Sequence, residues 1–251
     1  MKYEQIESIR MAQIAIQLYS VHELDDDTAT ILEHVAETDL DGVEFFRLDE
    51  ADDIADTLDR TDLGVAGVHV GLESLEDNFA ETVDVWSQLG IETFVVPWAD
   101  PKHFETHETI EALAERLSAI AAKLDQRGYS LHYHNHDHEF VTLDDEYALE
   151  ILAENAPEVG LELDLGWAGA AGAEPLSLVE SYADRIDLLH VKDYDTETGS
   201  PAKVGEGDLD LAGVASVVRE YDIEWLIYEY EDAPDTYETV EHASESMSYF
   251  Q

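Results

Sequence analysis

The 251 residues are 45% apolar and include no cysteine, so the chain can bury one large core but has neither disulfides nor thiolate metal ligands. Its 60 acidic residues against 12 basic give a formal net charge of -48, spread over DDDT, DEADD, DDEY and many single positions, a coat that repels nucleic acid phosphates and anionic membranes. No apolar run approaches the ~20 residues of a membrane span, and MKYEQIESIRMAQIAI lacks the apolar region and cleavage site of a signal peptide. A cytoplasmic protein adapted to high salt is the expectation.

Residues 1–11 read as a short lead-in, after which a strand-then-helix pattern repeats. Ile14–Ser20 is the first expected strand, with a helix over Asp27–Thr38; Gly42–Phe46 is the second, with Ala51–Asp59. Gly64–Val70 precedes a helix over Leu75–Leu89, and Ile91–Trp98 precedes the longest, Thr109–Gln126. Tyr129–Asn135 leads to Asp144–Asn155, and Gly160–Leu165 to Glu174–Ala183. Ile186–Val191 leads to Asp210–Tyr221, and Glu224–Tyr230 to Thr236–Phe250. Eight such units with no break in composition predict an α/β fold, one (β/α)8 TIM barrel spanning residues 1–251 as a single domain. An open doubly wound sheet would carry a Gly-rich loop after its first strand, where this chain has SVHELDDD.

Barrel strands are buried on both sides and should be nearly all apolar. The exceptions fall late in the strands: Gln17, Glu44, His69, His134, Asp164, His190 and Glu229. Leu161, Leu163 and Leu165 share one face of their strand, which leaves Glu162 and Asp164 on the other. Leu188, His190 and Lys192 share a face, as do Ile227, Glu229 and Glu231. If the leucines meet the helices, the acids and histidines point into the barrel mouth, where barrel enzymes keep their chemistry. Unpaired buried carboxylates are costly, and Asp164, His190 and Glu229 would escape that cost by sharing a cation. In Tyr129–Phe140, YSLHYHNHDHEF, strand alternation puts His132, His134 and His136 on one face, a further source of nitrogen ligands.

The pieces IQLYSV, DGVEF, HNHDHEF, LDLGWA, HVKD, VGEGDLD and YEYE resemble the sugar phosphate isomerase/epimerase group of xylose isomerase-like barrels (the AP endonuclease 2 type) over nearly the whole chain after residue 11. That superfamily also holds endonuclease IV, inosose dehydratase, tagatose epimerase and hydroxypyruvate isomerase. The resemblance implies one divalent cation at the ends of strands five to eight. Asp164, His190 and Glu229 match three of its usual ligands, and His134 stands where the fourth is commonly glutamate, with His136 as the competing assignment. Nitrogen and oxygen donors together suit Mn, Co, Zn or Fe, and also admit Mg.

The expected chemistry is isomerisation or epimerisation of a small sugar, sugar phosphate or keto-polyol through an enediolate, with Glu229 or a hydroxide on the cation as base. Lys192 would hold substrate oxygen, and His69 would contact substrate or act as an acid. Gln17, Glu44, Trp98, His136, Trp167 and Glu206 are candidate substrate contacts, Glu44 alternatively orienting a ligand. Epimerases of the group use two metal-bound glutamates, and only Glu229 is present here. Relatives with histidine at the first position resemble dehydratases and keto-sugar lyases at least as much, so a lyase of the inosose dehydratase type is the alternative. A DNA repair endonuclease fits the acidic coat poorly, and a non-catalytic sugar-binding or partner subunit would show a broken ligand set. A homodimer is compatible with the resemblance. His22, His34, His103, His107 and His242 read as solvated.

Overall fold

The computed structural model describes residues 12–49, 51–232 and 236–251; the expected lead-in over residues 1–11 lies outside them. Eight parallel strands close into a barrel: β1 Gln13–Gln17, β2 Gly42–Phe45, β3 Gly64–His69, β4 Thr93–Val96, β5 Ser130–His134, β6 Gly160–Asp164, β7 Leu188–Val191 and β8 Trp225–Tyr228. Each strand pairs with its sequence neighbours, and β1 closes on β8 with Gln13 opposite Trp225 and Ile16 opposite Tyr228. Helices flank the barrel. Among the described residues, no helix is long and apolar enough to cross a membrane.

Alternation along each strand separates two cores. Ile14, Ile16, Val43, Phe45, Leu161, Leu163, Leu189, Val191, Leu226 and Tyr228 face outward into the large apolar layer under the helices. Ala15, Ala66, Val95, Leu188, Trp225 and Ile227 form a small separate cluster inside. Further along the same inward faces the composition changes: Gln17, Glu44, Glu162 and His190 are fully buried, and His134, Asp164, Lys192 and Glu229 follow toward the C-terminal end. The barrel is therefore filled by an apolar plug below and two polar tiers above.

The helices start where their caps dictate. Asp27 accepts the Thr30 N–H ahead of Thr28–Val35, Thr106 and Thr109 form a reciprocal cap at the start of His107–Asp125, and Asp210 accepts the Gly213 N–H ahead of Leu211–Tyr221. In the helix Ala51–Thr61, Ile54 and Thr57 are buried while Asp52, Asp53, Asp56 and Asp59 face solvent.

Several expected elements differ in extent. β1 ends at Gln17, because the Gln17 side chain accepts the Tyr19 N–H and turns Leu18–Val21 into a 3-10 helix. The helix expected over Leu75–Leu89 is two, Leu72–Asp77 and Phe79–Ser87, divided at Asn78, whose φ of -128° and ψ of 33° leave the helical region. The segment before Ala148–Asn155 is a hairpin, Thr142–Leu143 with Glu146–Tyr147, turning on Asp144 and Asp145 at φ of 52° and 74°, a conformation aspartate tolerates. The closing helix is shorter than expected, Glu238–Met247. The helix Leu165–Ala170, the hairpin of Asp193–Asp195 with Ser200–Ala202 and the short 3-10 helices Pro101–Phe104 and His138–Phe140 had no expectation.

At the floor of the barrel a Cβ on Gly42 would lie 2.5 Å from the Gly64 carbonyl oxygen and 2.9 Å from the Trp225 ring. Backbone cannot give as a side-chain tip can, so Gly42→Ala should destabilise the protein by about 1–3 kcal/mol in urea unfolding, as overpacking does. Wild-type stability in that variant would contradict the close approach of β2 and β3.

Candidate active site and metal centre

Two groups of side chains within the described residues bring ligand atoms to within 4.8 Å of one another, and His190 belongs to both. The outer group is His134, Asp164, His190 and Glu229, from the C-terminal ends of β5 to β8. The inner group is Glu44, His69, Glu162 and His190.

Asp164 is fixed three ways by its local sequence. Its backbone exchanges hydrogen bonds with the Asn135 side chain, whose Nδ2 donates to the Asp164 carbonyl at 3.2 Å and whose Oδ1 accepts the Asp164 N–H at 2.9 Å. Its Oδ1 caps the helix Leu165–Ala170 by accepting the Trp167 N–H at 2.8 Å. Oδ2 is left facing the cluster. His134 Nδ1 lies 3.3 Å from the Pro97 carbonyl, an acceptor only, so Nδ1 carries a proton there, and Nε2 turns to the cluster, 3.5 Å from Asp164 Oδ2. His190 Nδ1 sits 3.2 Å from Glu229 Oε2.

These donors fit a divalent cation. His134 Nε2 and Asp164 Oδ2 are both buried and neither makes a hydrogen bond, although the Lys192 ammonium is 3.2 Å from Asp164 Oδ2. Buried polar atoms are almost always partnered, and a cation shared with His190 and Glu229 would satisfy both. Two carboxylates and two imidazoles form the mixed nitrogen and oxygen set that first-row divalent metals accept.

The electrostatics follow from burial. Lys192, only 1% exposed, lies 3.2 Å from Asp164, 2.9 Å from Glu229 and 2.7 Å from Glu231. Burial would lower its pKa, but the three carboxylates outweigh burial and raise it. Burial would lift Asp164, yet Lys192 and His134 hold it down at about 2. Against burial, Lys192 and His190 likewise hold Glu229 well below the usual carboxylate range. In the inner group burial would depress His69, but Glu44 and Glu162 lift it to about 10. Burial and the neighbouring Glu44 push Glu162 up, whereas the two histidines overcome burial to keep Glu44 well down.

A cavity of about 340 Å³ opens over the outer group, lined by Tyr19, Phe46, Trp98, His134, His136 and Glu229, among others including His69 and Glu231. Trp98 is half exposed there. Larger cavities open at the opposite end of the barrel, around His132 and Asp187, away from both ligand groups.

The sequence expectations sort accordingly. His134, Asp164, His190 and Glu229 converge, and His69, Trp98 and His136 line the cavity. His136 is in neither ligand group; its backbone N–H donates to Glu139 and its ring packs 5.6 Å from Trp167. His132 does not continue the row of ligands: two residues back along β5, in the middle of that strand, it lies 3.1 Å from Asp187. Gln17 and Glu44, expected as substrate contacts, are fully buried, bonded to each other and outside the cavity lining. Lys192 faces three carboxylates instead of the cavity. Trp167 donates from Nε1 to Glu231 and stands 4.8 Å from Lys192 Nζ, behind the cavity wall. Glu206 is exposed on its loop and outside the cavity lining. Of the histidines expected to be solvated, only His34 is exposed; His22, His103, His107 and His242 are partly buried, and His242 meets the Tyr228 hydroxyl at 3.2 Å.

Two motif residues serve as scaffolding. Glu139 of HNHDHEF, fully buried, accepts from the Tyr133 hydroxyl at 2.6 Å and from the His136 N–H at 2.9 Å. Asp193 of HVKD accepts the backbone N–H groups of Tyr194, Gly205, Gly207 and Leu209, drawing VGEGDL into one compact loop. Glu231, expected on the mouth-facing side of its strand, lines the cavity, whereas Tyr19 and Phe46 have no such expectation; their position at the C-terminal ends of β1 and β2 is the available signal.

The model of the xylose isomerase-like TIM barrel family matches residues 32–251. The chain belongs to that family. Among its relatives, an inosose dehydratase of Clostridium beijerinckii is 23% identical over 208 residues, 70% of each chain. A sugar phosphate isomerase/epimerase from Parabacteroides distasonis has the same fold with a TM-score of 0.80 at 20% identity, over 96% of this chain and 93% of that one. A D-allulose 3-epimerase from Methylomonas sp. superposes with a TM-score of 0.71 at 14% identity, over 96% of each chain.

Two outcomes test the electrostatics. Lys192→Met leaves three carboxylates facing one another, so in chelator-treated protein it should cost about 3–5 kcal/mol in urea unfolding; an unchanged midpoint would refute the burial of that charge. For His69 the folded pKa is raised, so its stabilisation is complete below its ordinary 6.5 and fades as pH climbs through about 10. The stability gap between wild type and His69→Gln should therefore narrow steadily over that interval.

Proposed function

We propose that this chain is a divalent-metal-dependent enzyme that isomerises or epimerises a small keto-sugar or keto-polyol by moving a proton from a carbon beside the carbonyl. The observation that carries this reading is the outer group, four buried ligand side chains beneath an aromatic-walled cavity of sugar size. The names of the structural neighbours, an isomerase/epimerase and a D-allulose 3-epimerase, support it by analogy of fold.

His134, Asp164, His190 and Glu229 would hold the cation, which would polarise a substrate carbonyl and stabilise the negative charge that develops on its oxygen. Glu229 borders both the ligand group and the cavity and is held ionised, so it is the candidate proton acceptor. His69 lines the same cavity with its proton retained by Glu44 and Glu162, which suits it to return a proton. Lys192 keeps Asp164 and Glu229 charged and apart from Glu231. Tyr19, Phe46 and Trp98 offer flat faces to the carbon skeleton. Among the described residues, the cavity lining includes Glu229 and Glu231 but neither lysine nor arginine, which favours an uncharged substrate over a phosphorylated one.

A second reading is loss of water from a keto-polyol. Two points support it: the outer group holds a single glutamate, Glu229, where a two-base epimerisation would use two, and several relatives are inosose dehydratases.

Metal analysis by mass spectrometry on protein purified in high salt should give one divalent ion per chain. Asp164→Ala and His134→Ala should lose it and His136→Ala keep it. Failure of wild type to retain or take up Mn, Co or Zn would remove the basis of both readings. With metal bound, incubation with ketohexoses and inososes separates them, a new stereoisomer supporting the first and an unsaturated or dicarbonyl product the second.

A further inference from the structure

The inner tier contains a chain of hydrogen bonds in which each link dictates the next. Tyr19 donates its backbone N–H to Gln17 Oε1 at 3.0 Å, so the carbonyl end of the Gln17 amide is fixed toward that backbone. The NH2 end must then face the other way, where Gln17 Nε2 donates to Glu44 Oε2 at 2.8 Å. An amide NH2 only donates, so Glu44 Oε2 is an acceptor. The same oxygen lies 2.8 Å from His190 Nε2, and an acceptor oxygen there requires that Nε2 carry a proton.

We infer that Gln17 and Glu44 are positioning residues that hold His190 in the Nε2–H form and thereby present its Nδ1 lone pair to the outer group. This rests on the metal-site reading of that group. The other neighbours of these atoms agree with it. His69 Nε2 lies 2.7 Å from Glu162 Oε2 and 3.3 Å from Glu44 Oε2, and His190 Nε2 lies 3.4 Å from Glu162 Oε2. Nitrogen and carboxylate oxygen thus alternate around the inner group, so its histidines can donate to its glutamates without a cation among them. His190 Nδ1 turns instead toward Glu229 and Asp164, at 3.2 and 3.9 Å. Carboxylate partners of this kind fix a ligand imidazole and raise its basicity, and losing one typically weakens metal binding 10- to 100-fold.

The test combines metal affinity with the proton's address. Zinc titration against a competing chelator should give one site per chain in wild type, with affinity reduced roughly 10- to 100-fold in Glu44→Gln and less, in the same direction, in Gln17→Ala. Circular dichroism of the metal-free variants checks that they are folded. Independently of any variant, 15N-histidine spectra of zinc-loaded wild type should show the His190 proton on Nε2 and the metal on Nδ1. Metal on Nε2, an affinity in folded Glu44→Gln within twofold of wild type, or two zinc ions per chain falling to one in Glu44→Gln would each overturn the inference, the last by making Glu44 a ligand itself. If wild type binds no zinc, the inference and the metal-site reading fall together, whereas the other three outcomes leave that reading standing.

Discussion

Carboxylates inside a barrel are the constraint on which the upper half of this structure depends. Glu44, Glu162, Asp164 and Glu229 are almost wholly buried and Glu231 largely so. Isolated charges at such depth are prohibitively costly, so each needs a partner of opposite sign or a proton. The arrangement supplies both: Lys192 stands among Asp164, Glu229 and Glu231, His69 retains a proton between Glu44 and Glu162, and Glu162 is pushed toward its neutral form. A divalent ion in the outer group would balance Asp164 and Glu229 and leave Lys192 to pair with Glu231. With that ion the polar tiers would be close to neutrality as a whole while holding strong local fields, the condition under which preorganised charge acts on a reacting molecule without rearranging.

Much of this was legible in the sequence because burial on both faces of a barrel strand makes every polar residue conspicuous. Gln17, Glu44, His69, His134, Asp164, His190 and Glu229 were identified as inward-facing on that basis, and all seven point into the upper barrel. The division of Leu161 and Leu163 from Glu162 and Asp164 also follows from period two alone. Alternation gives the face but not the depth. It could not tell that His132 lies below the ligand group, against Asp187, or that Gln17 and Glu44 sit below the cavity instead of lining it. Depth is set by strand stagger in the closed barrel, including the shift between Val43 and Glu44 where β2 meets β3.

Other features were hidden because they depend on side chain to backbone bonds that carry no periodic signal. Asn135, Glu139 and Asp193 belong to motifs that suggest chemistry, yet each closes a turn or ties a strand end to its neighbour. Their contribution is geometric: Asn135 sets the height of Asp164, and the helix that Asp164 caps begins at the very next residue. The break at Asn78 and the turn at Asp144 and Asp145 reflect single residues leaving the helical basin, which a pattern averaged over several turns smooths away.

The pairing of β1 with β8 has a consequence for how the site comes into being. Gln17 and Glu44 belong to the first two strands and His190 to the seventh, so the bond between Glu44 and His190 joins residues 146 apart. Neither half of the chain contains the ligand group together with the residues that orient it, and loop closure over such separations is slow and entropically unfavourable. During synthesis, then, the nascent N-terminal half carries Glu44 and His69 without their partners, and the strand that completes the ring is also the one that delivers Glu229. The outer ligand group is complete only once Glu229, which follows the last strand, is in place, so metal binding there would report on barrel closure.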